Sequence, residues 1–222
     1  MCLITLLPPG VMPVRAHLVH GIEFNPHGSG FAIQLPDGTQ RVWRHLNGYA
    51  ILDDFIDQRR KYPDGYALFH SRYATAGNPV TIANVQPLVL ADDAPWGRQS
   101  VLVHNGGLFP AEGEASDTRV FLDEILPKWN LDRDLDELEQ ALGRNKMVLQ
   151  PAAGEPVVLN AHLGVALPDG TWHSNRDYCG ESHLAPDQCG SCGAALPGAP
   201  PATLCDECRK LFEGRRTMLE GR

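Results

Sequence analysis

Met1-Cys2-Leu3-Ile4-Thr5-Leu6-Leu7-Pro8-Pro9-Gly10 opens the chain. The apolar run predicts a buried strand over 2–8, which Pro8-Pro9-Gly10 ends. Removing Met1 would leave a first residue that carries a thiol and a free α-amine together. The thiol is a nucleophile and the amine beside it a base, so one residue holds both halves of a nucleophilic pair. A free α-amine titrates near pH ~8 and a thiol near ~8.5, so neither needs a large shift to act at neutral pH. A cysteine after Met1 is also an incidental small residue in many chains. Other segments must therefore carry the reading.

Three segments do. His70-Ser71-Arg72-Tyr73-Ala74-Thr75-Ala76-Gly77 is followed by Asn84-Val85-Gln86-Pro87, then by Val103-His104-Asn105-Gly106-Gly107, and then by Ser116-Asp117-Thr118 at the head of a helical pattern. With Cys2 they resemble the class II glutamine amidotransferases, whose catalytic domain belongs to the N-terminal nucleophile (Ntn) hydrolase superfamily. The family pattern is an N-terminal Cys, H-x-R-[WY]-A-T, N-x-x-P, H-N-G and S-D-T, and all five parts occur here in that order between residues 2 and 118. No single part is specific, but the ordered set is. Asn25-Pro26-His27-Gly28-Ser29-Gly30-Phe31-Ala32 also resembles the N-P-D-G-x-G-x-A turn of many members, with His27 where Asp is usual. Two departures stand out. Cys2-Leu3-Ile4-Thr5 replaces the common Cys-Gly-Ile start and suggests the small stand-alone branch of phage and bacterial genomes. Ala76-Gly77 replaces His-Gly and takes a polar group from the mouth of the site.

The resemblance implies an α+β fold, the four-layer αββα Ntn-hydrolase sandwich, with Cys2, Asn105 and Gly106 catalytic and Arg72, Tyr73, Thr75 and Asp117 binding substrate. Chemistry explains the residue types. A free amino acid carries two opposite charges on its α-carbon, and both need partners before its side chain can be presented. Arg72 offers a planar fork for the α-carboxylate, Thr75 a neutral hydroxyl nearby, and Asp117 a carboxylate for the α-ammonium. The glutamine side-chain amide then faces Cys2, and attack on it builds an oxyanion for the Asn105 side chain and the Gly106 N–H. Each residue also has a plainer reading. Arg72 could be a surface-paired arginine, Asn105-Gly106 a type I′ hairpin turn after a strand at Val101-Leu102-Val103, and Asp117 a helix N-terminal acid. His70 and His104 read as structural neighbours, because the Cys2 amine already fills the base role. Cys179 reads as a buried thiol.

The 222 residues suit one good-sized domain with a small appendage, and 43% apolar content is ordinary for a globular chain. No apolar run reaches membrane-spanning length and no charged segment precedes Leu3, so a cytoplasmic protein without membrane partners is expected. A formal charge of −8 argues against broad nucleic-acid binding. Apolar and turn residues predict a hairpin over 30–44 around Pro36-Asp37-Gly38. Helices are expected through Ile51, Leu52, Phe55 and Ile56, through Val120, Phe121, Leu122 and Ile125, and through Leu131, Leu135, Leu138 and Leu142, stopped by Gly143. Strands return at 145–150, 157–167 and 171–174.

The amidotransferase-like domain is expected over 1–178, a linker over 179–188 and a separate segment over 189–222. There, Cys189-x2-Cys192 and Cys205-x2-Cys208 are separated by twelve residues rich in Gly and Pro, the spacing of a four-thiolate zinc ribbon. Four protein ligands leave no open position, so one structural Zn2+ is expected and no organic cofactor. The ribbon is either a metal-stapled tail lying on the main domain or a recruiter of a partner. A protein partner comes ahead of nucleic acid, since acids nearly cancel Arg209, Lys210, Arg215 and Arg216. A cut near Tyr178 is expected to leave the core working. The functional expectation is a glutaminase subunit releasing ammonia to a synthetase on another chain. An Ntn amidase for another γ-glutamyl amide, and an adaptor on an idle scaffold, are the alternatives.

Overall fold

Strand alternation places the site. In β1 (Leu3–Leu7), Ile4 and Leu6 face one side of the sheet while Leu7 faces the other. A computed structural model describes residues 2–221 apart from 75–78, 91–98, 112, 182–185, 191–193 and 201–202. Its elements run β1, α1 (Arg15–Phe24), β2 (Ser29–Gln34), β3 (Gln40–His45), α2 (Tyr49–Lys61), β4 (Ala67–Ser71), β5 (Leu88–Val89) and β6 (Val101–Asn105). They continue with α3 (Asp117–Val120), extended by a wider turn over Phe121–Ile125, then α4 (Leu135–Leu142), β7 (Lys146–Gln150), β8 (Val157–Leu159), β9 (Val165–Ala166), β10 (Trp172–His173) and α5 (Asp206–Glu220). Two antiparallel sheets form, one ordered β3-β2-β4-β1-β10-β9 and the other β5-β6-β7-β8.

Three apolar layers bind these elements. Leu18 and Ile22 of α1 and Ile51, Leu52 and Phe55 of α2 cover one face of the larger sheet at Leu7, Phe31, Ile33 and Phe69. Ile4, Leu6, Ala32 and Leu68 meet Val101, Val103 and Val148 between the sheets. The far face of the smaller sheet, at Leu102, Met147 and Leu149, is covered by Phe121, Ile125, Leu138, Leu142 and Leu219. The order is helix, sheet, sheet, helix, as expected for the αββα sandwich. Burying an aliphatic side chain of this kind contributes roughly 1.5–3 kcal/mol, so each layer is a substantial store of stability.

Several expected elements shift. The run 157–167 is divided: β8 pairs with β7 in the smaller sheet, whereas β9 pairs with β10 in the larger, with a short helical turn at Ala161–Leu163 between them. Leu131 lies ahead of α4 rather than in it, and Gly143 ends the helix with φ +62. Helix α1 has a weak apolar stripe, and α5 starts within the second cysteine pair, between Cys205 and Cys208. Neither stood out in the sequence. The last helix lies against the main unit, with Leu219 in the same apolar cluster as Leu138 and Leu142. Among the described residues, no helix is long and apolar enough to cross a membrane.

Candidate active site

Parity brings the motif residues to one end of the crevice between the sheets. Cys2 shares the alternation of Ile4 and Leu6. Asn105 shares that of Val101 and Val103, and His70 that of Leu68, all facing the opposite sheet. Cys2 precedes the start of β1, whereas Asn105 ends β6 and Arg72 follows β4. Their strands therefore deliver them to the same end. Cys2, Arg72, Tyr73, Gly106 and Asp117 line one small open cleft. Thr75, the remaining expected substrate residue, lies outside the described residues, as do Met1, Ala76 and Gly77.

The Cys2 thiol is buried and donates to the Tyr73 carbonyl at 3.9 Å. Burial pushes this thiol up from its ordinary value, against the lowering pull of the Tyr73 hydrogen bond and of Arg72. The Cys2 backbone nitrogen donates to Asn105 Oδ1 at 3.1 Å, and Asn105 Nδ2 donates to Ser174 Oγ at 2.8 Å. Asn105 thus stands behind Cys2 and holds its nitrogen, a role that the motif did not reveal. The hairpin reading of Asn105-Gly106 does not describe this turn. The antiparallel neighbours of β6 are β5 and β7, neither of which follows directly from Gly106. The cleft-facing Gly106 has φ +149, and a Cβ there would collide with Asn145 Oδ1 and sit 3.0 Å from His104 Nε2.

Arg72 is 3% exposed, which excludes a surface pair. The turn expected at 25–32 grips its backbone: the Arg72 N–H donates to Gly28 at 2.8 Å, and the His27 N–H donates to the Arg72 carbonyl at 2.9 Å. His27 Nδ1 accepts from the Ala74 N–H at 2.9 Å, so a neutral imidazole does here what a carboxylate could do at that position. Burial lowers the His27 pKa, and Arg72 lowers it further, which favours that neutral form. The Arg72 guanidinium has a buried Nη1 with no hydrogen-bond partner among the described residues. A buried cationic donor without a partner among the described residues suits an anionic group entering the cleft.

Asp117 reads both ways. It opens α3 after the Ser116 cap, whose hydroxyl accepts from the Arg119 N–H. Its carboxylate also accepts from the Leu108 N–H at 2.8 Å and the Thr118 N–H at 2.8 Å, and it borders the cleft with Arg72.

A polar frame behind the cleft joins motif residues to others that no motif contains. Asn145 Nδ2 donates to the Leu142 carbonyl at 2.6 Å, which leaves Oδ1 as the acceptor facing His104 Nε2 at 2.9 Å. His104 therefore carries its proton on Nε2, and Nδ1 accepts from the Thr118 hydroxyl at 2.9 Å. Gln86 Oε1 receives the His104 N–H at 2.6 Å, and Asn84 Oδ1 receives the Ser116 N–H at 2.9 Å. The N-x-x-P segment thus ties the H-N-G strand to the S-D-T helix. His70 donates through Nε2 to the His104 carbonyl at 3.2 Å, and burial pushes its pKa down to about 3. After β10, Ser174 Oγ accepts from Ile4 N–H at 2.9 Å and Asn175 Nδ2 donates to the Cys2 carbonyl at 3.0 Å. Lys146, which faces Asn105 across β6 and β7, is pushed down to about 8 by burial and by Arg144. No short motif marks Asn145, Lys146, Ser174 or Asn175, because their partners lie far along the chain.

Cys179 corrects the expectation of a buried thiol: it is exposed and donates to the Arg176 carbonyl at 3.1 Å, at the end of a surface turn. Cys189, Cys205 and Cys208 converge, with sulfurs within 4.8 Å of one another. A tetrahedral zinc thiolate site has sulfurs about 3.8 Å apart, from Zn–S near 2.3 Å. The Cys205 N–H also donates to Cys189 Sγ at 3.3 Å, a bond suited to a thiolate. These three residues could hold a metal ion. Cys192 lies outside the described residues.

No protein-family profile matches this chain, and no curated protein matches it in sequence. Solved structures do. The glutamine phosphoribosylpyrophosphate amidotransferase of B. subtilis, complexed with ADP and GMP, superposes with a TM-score of 0.53 at 16% identity, over 80% of this chain and 42% of that one. A structure described as the allosteric regulatory enzyme of purine biosynthesis gives 0.49 at 17% identity, over 78% of this chain and 41% of its own. The chain therefore spans less than half the length of these neighbours. Over the matched stretch this chain shares the fold of the B. subtilis amidotransferase, and at 16% identity the likeness is one of fold alone.

Proposed function

We propose that this chain is a glutamine-hydrolysing amidotransferase subunit or glutaminase with Cys2 as its nucleophile once Met1 is removed. The observation that carries the reading is the buried Arg72 Nη1, unpartnered among the described residues, on the wall of the same cleft that holds the Cys2 thiol. In this scheme Arg72 receives the α-carboxylate and Asp117 the α-ammonium, with Tyr73 on the same cleft wall and Thr75 a further substrate residue by its place in the motif. The Cys2 sulfur adds to the side-chain carbonyl carbon, and the Gly106 N–H with the remaining Asn105 N–H meets the oxyanion. The carbon–nitrogen bond then breaks, and ammonia leaves with a proton from the Cys2 ammonium. Water hydrolyses the γ-glutamyl thioester, releasing glutamate and restoring the thiol. Asn105 Oδ1 keeps the amine in place throughout.

We further propose that an ATP-using synthetase on another chain consumes the ammonia, and that Cys189, Cys192, Cys205 and Cys208 hold one structural Zn2+. The test combines intact mass with glutamate release. The mature chain is expected to lack Met1 and to hydrolyse glutamine faster than asparagine or other γ-glutamyl amides, with Cys2→Ser far slower. Full activity in a preparation that keeps Met1, or in Cys2→Ser, would defeat the mechanism. A preference for another γ-glutamyl amide would move the substrate assignment and leave the nucleophile standing. Metal analysis is expected to find one zinc per chain.

A further inference from the structure

Helix α5 presents one inward stripe. Cys208, Phe212, Arg215 and Leu219 recur at helical spacing along it, and all are at least partly buried, whereas Leu211 and Met218 are exposed. Leu219 enters the apolar layer beside the smaller sheet, and its carbonyl accepts from Trp129 Nε1 at 3.2 Å. The head of the helix belongs to the cysteine cluster, because Cys205 caps it and Cys208 lies in its first turn. Between these two anchors the helix meets the loop after β6. Arg215 Nη1 donates to the Gly107 carbonyl at 2.7 Å and to the Leu108 carbonyl at 3.3 Å. Phe212 covers Gly107 so closely that a Cβ there would stand 3.0 Å from the ring.

The other side of the same loop is held by the main domain. Asp117 takes the Leu108 N–H, while Asn145 and His104 leave no room for a side chain at Gly106. The peptide between Asn105 and Gly106 is thus set by a clamp with two jaws. One jaw is the S-D-T helix and its polar frame, and the other is the C-terminal helix. A guanidinium suits the second jaw because one planar group can serve two neighbouring carbonyls.

We propose that Arg215 is a positioning residue of the active site: by gripping the Gly107 and Leu108 carbonyls it aims the Gly106 N–H into the cleft. The tail is then not an appendage to the catalytic domain but its closing wall. A protein cut near Tyr178 would lose the grip as well as the cysteines. The kinetic arm of the test rests on the glutaminase reading above. The structural arm does not.

The full chain is compared with Arg215→Gln and Arg215→Lys, through glutamine kinetics and through amide hydrogen exchange over residues 104–109. Arg215→Gln is expected to lower kcat by about ten- to a hundredfold, since small misplacements of a reacting geometry have effects of that size. KM should change less than about twofold, because substrate contacts are untouched. Exchange over 104–109 should accelerate, and Arg215→Lys should recover part of both. Gly107→Ala perturbs the clamp from the loop's side by pressing on Phe212. Adding Phe212→Leu to it should restore rate and protection. Unchanged exchange over 104–109 in Arg215→Gln overturns the proposal, whether or not kcat falls. So does an effect confined to KM. If the parent protein releases no glutamate at all, the functional reading fails and the exchange comparison alone decides the positioning role.

Discussion

Gly106→Ala tests the site frame through a single methyl group. The new Cβ would collide with Asn145 Oδ1 and lie 3.0 Å from His104 Nε2, at a backbone φ of +149. An L residue held in so sparsely populated a region costs about 1–3 kcal/mol. Asn145 cannot simply swing away, because its Nδ2 is bonded to the Leu142 carbonyl at 2.6 Å and its Oδ1 to His104 at 2.9 Å. Displacing it leaves a buried donor or acceptor unsatisfied, which costs roughly 1–3 kcal/mol more. The sum is about 2–6 kcal/mol, and for a chain of this size each kcal/mol lowers Tm by roughly 2–4 °C. Thermal unfolding of Gly106→Ala should therefore fall by about 4 °C at the least, with glutamate release lost as the Gly106 N–H turns from the cleft. A cycle with Asn145→Ala isolates the clash. If the collision is the cause, Gly106→Ala should cost less where Oδ1 is already gone. A Tm within about 1 °C of the parent, or strict additivity in the cycle, would refute the reasoning.

Three further outcomes are expected. Arg72→Lys should raise KM for glutamine well above its effect on kcat, because a point charge cannot replace the bidentate fork; equal kinetics would remove Arg72 from the carboxylate site. Asn105→Ala should lower kcat by roughly a hundredfold or more, since it loses both an oxyanion donor and the bond that holds the Cys2 nitrogen; a mainly KM effect would contradict this. His70 and His173, which burial pushes down to about 3, are neutral in the fold but bind protons when unfolded below pH ~6.5. Their contribution is complete above that pH and is lost as pH falls towards 3, at up to about 1.4 kcal/mol per pH unit for each residue. Denaturant titrations of the parent and of His70→Asn should therefore differ in slope over this window, and parallel curves would argue against it.

The sequence alone determined the layered α+β architecture and the company that Cys2 keeps, because both are written in local pattern. Alternation around Ile4 and Leu6, the turn at Pro36-Asp37-Gly38 and the stop at Gly143 each depend on neighbours a few residues away. Five short motifs in fixed order did the same for Cys2, Arg72, Gly106 and Asp117, which the structure gathers around one cleft. Tertiary structure decided what no local pattern records. Residues 157–167 read as one apolar run, yet β8 and β9 join different sheets because each finds its own strand edge. Asn145, Gln86, Ser174 and Asn175 are unremarkable polar residues until folding buries them, when every buried donor and acceptor needs a partner and the partners lie on distant strands. Arg215 is the extreme case. In the sequence it is one charge in a balanced tail, and only the docking of α5 beside Leu142 sets its guanidinium on the carbonyls after Gly106.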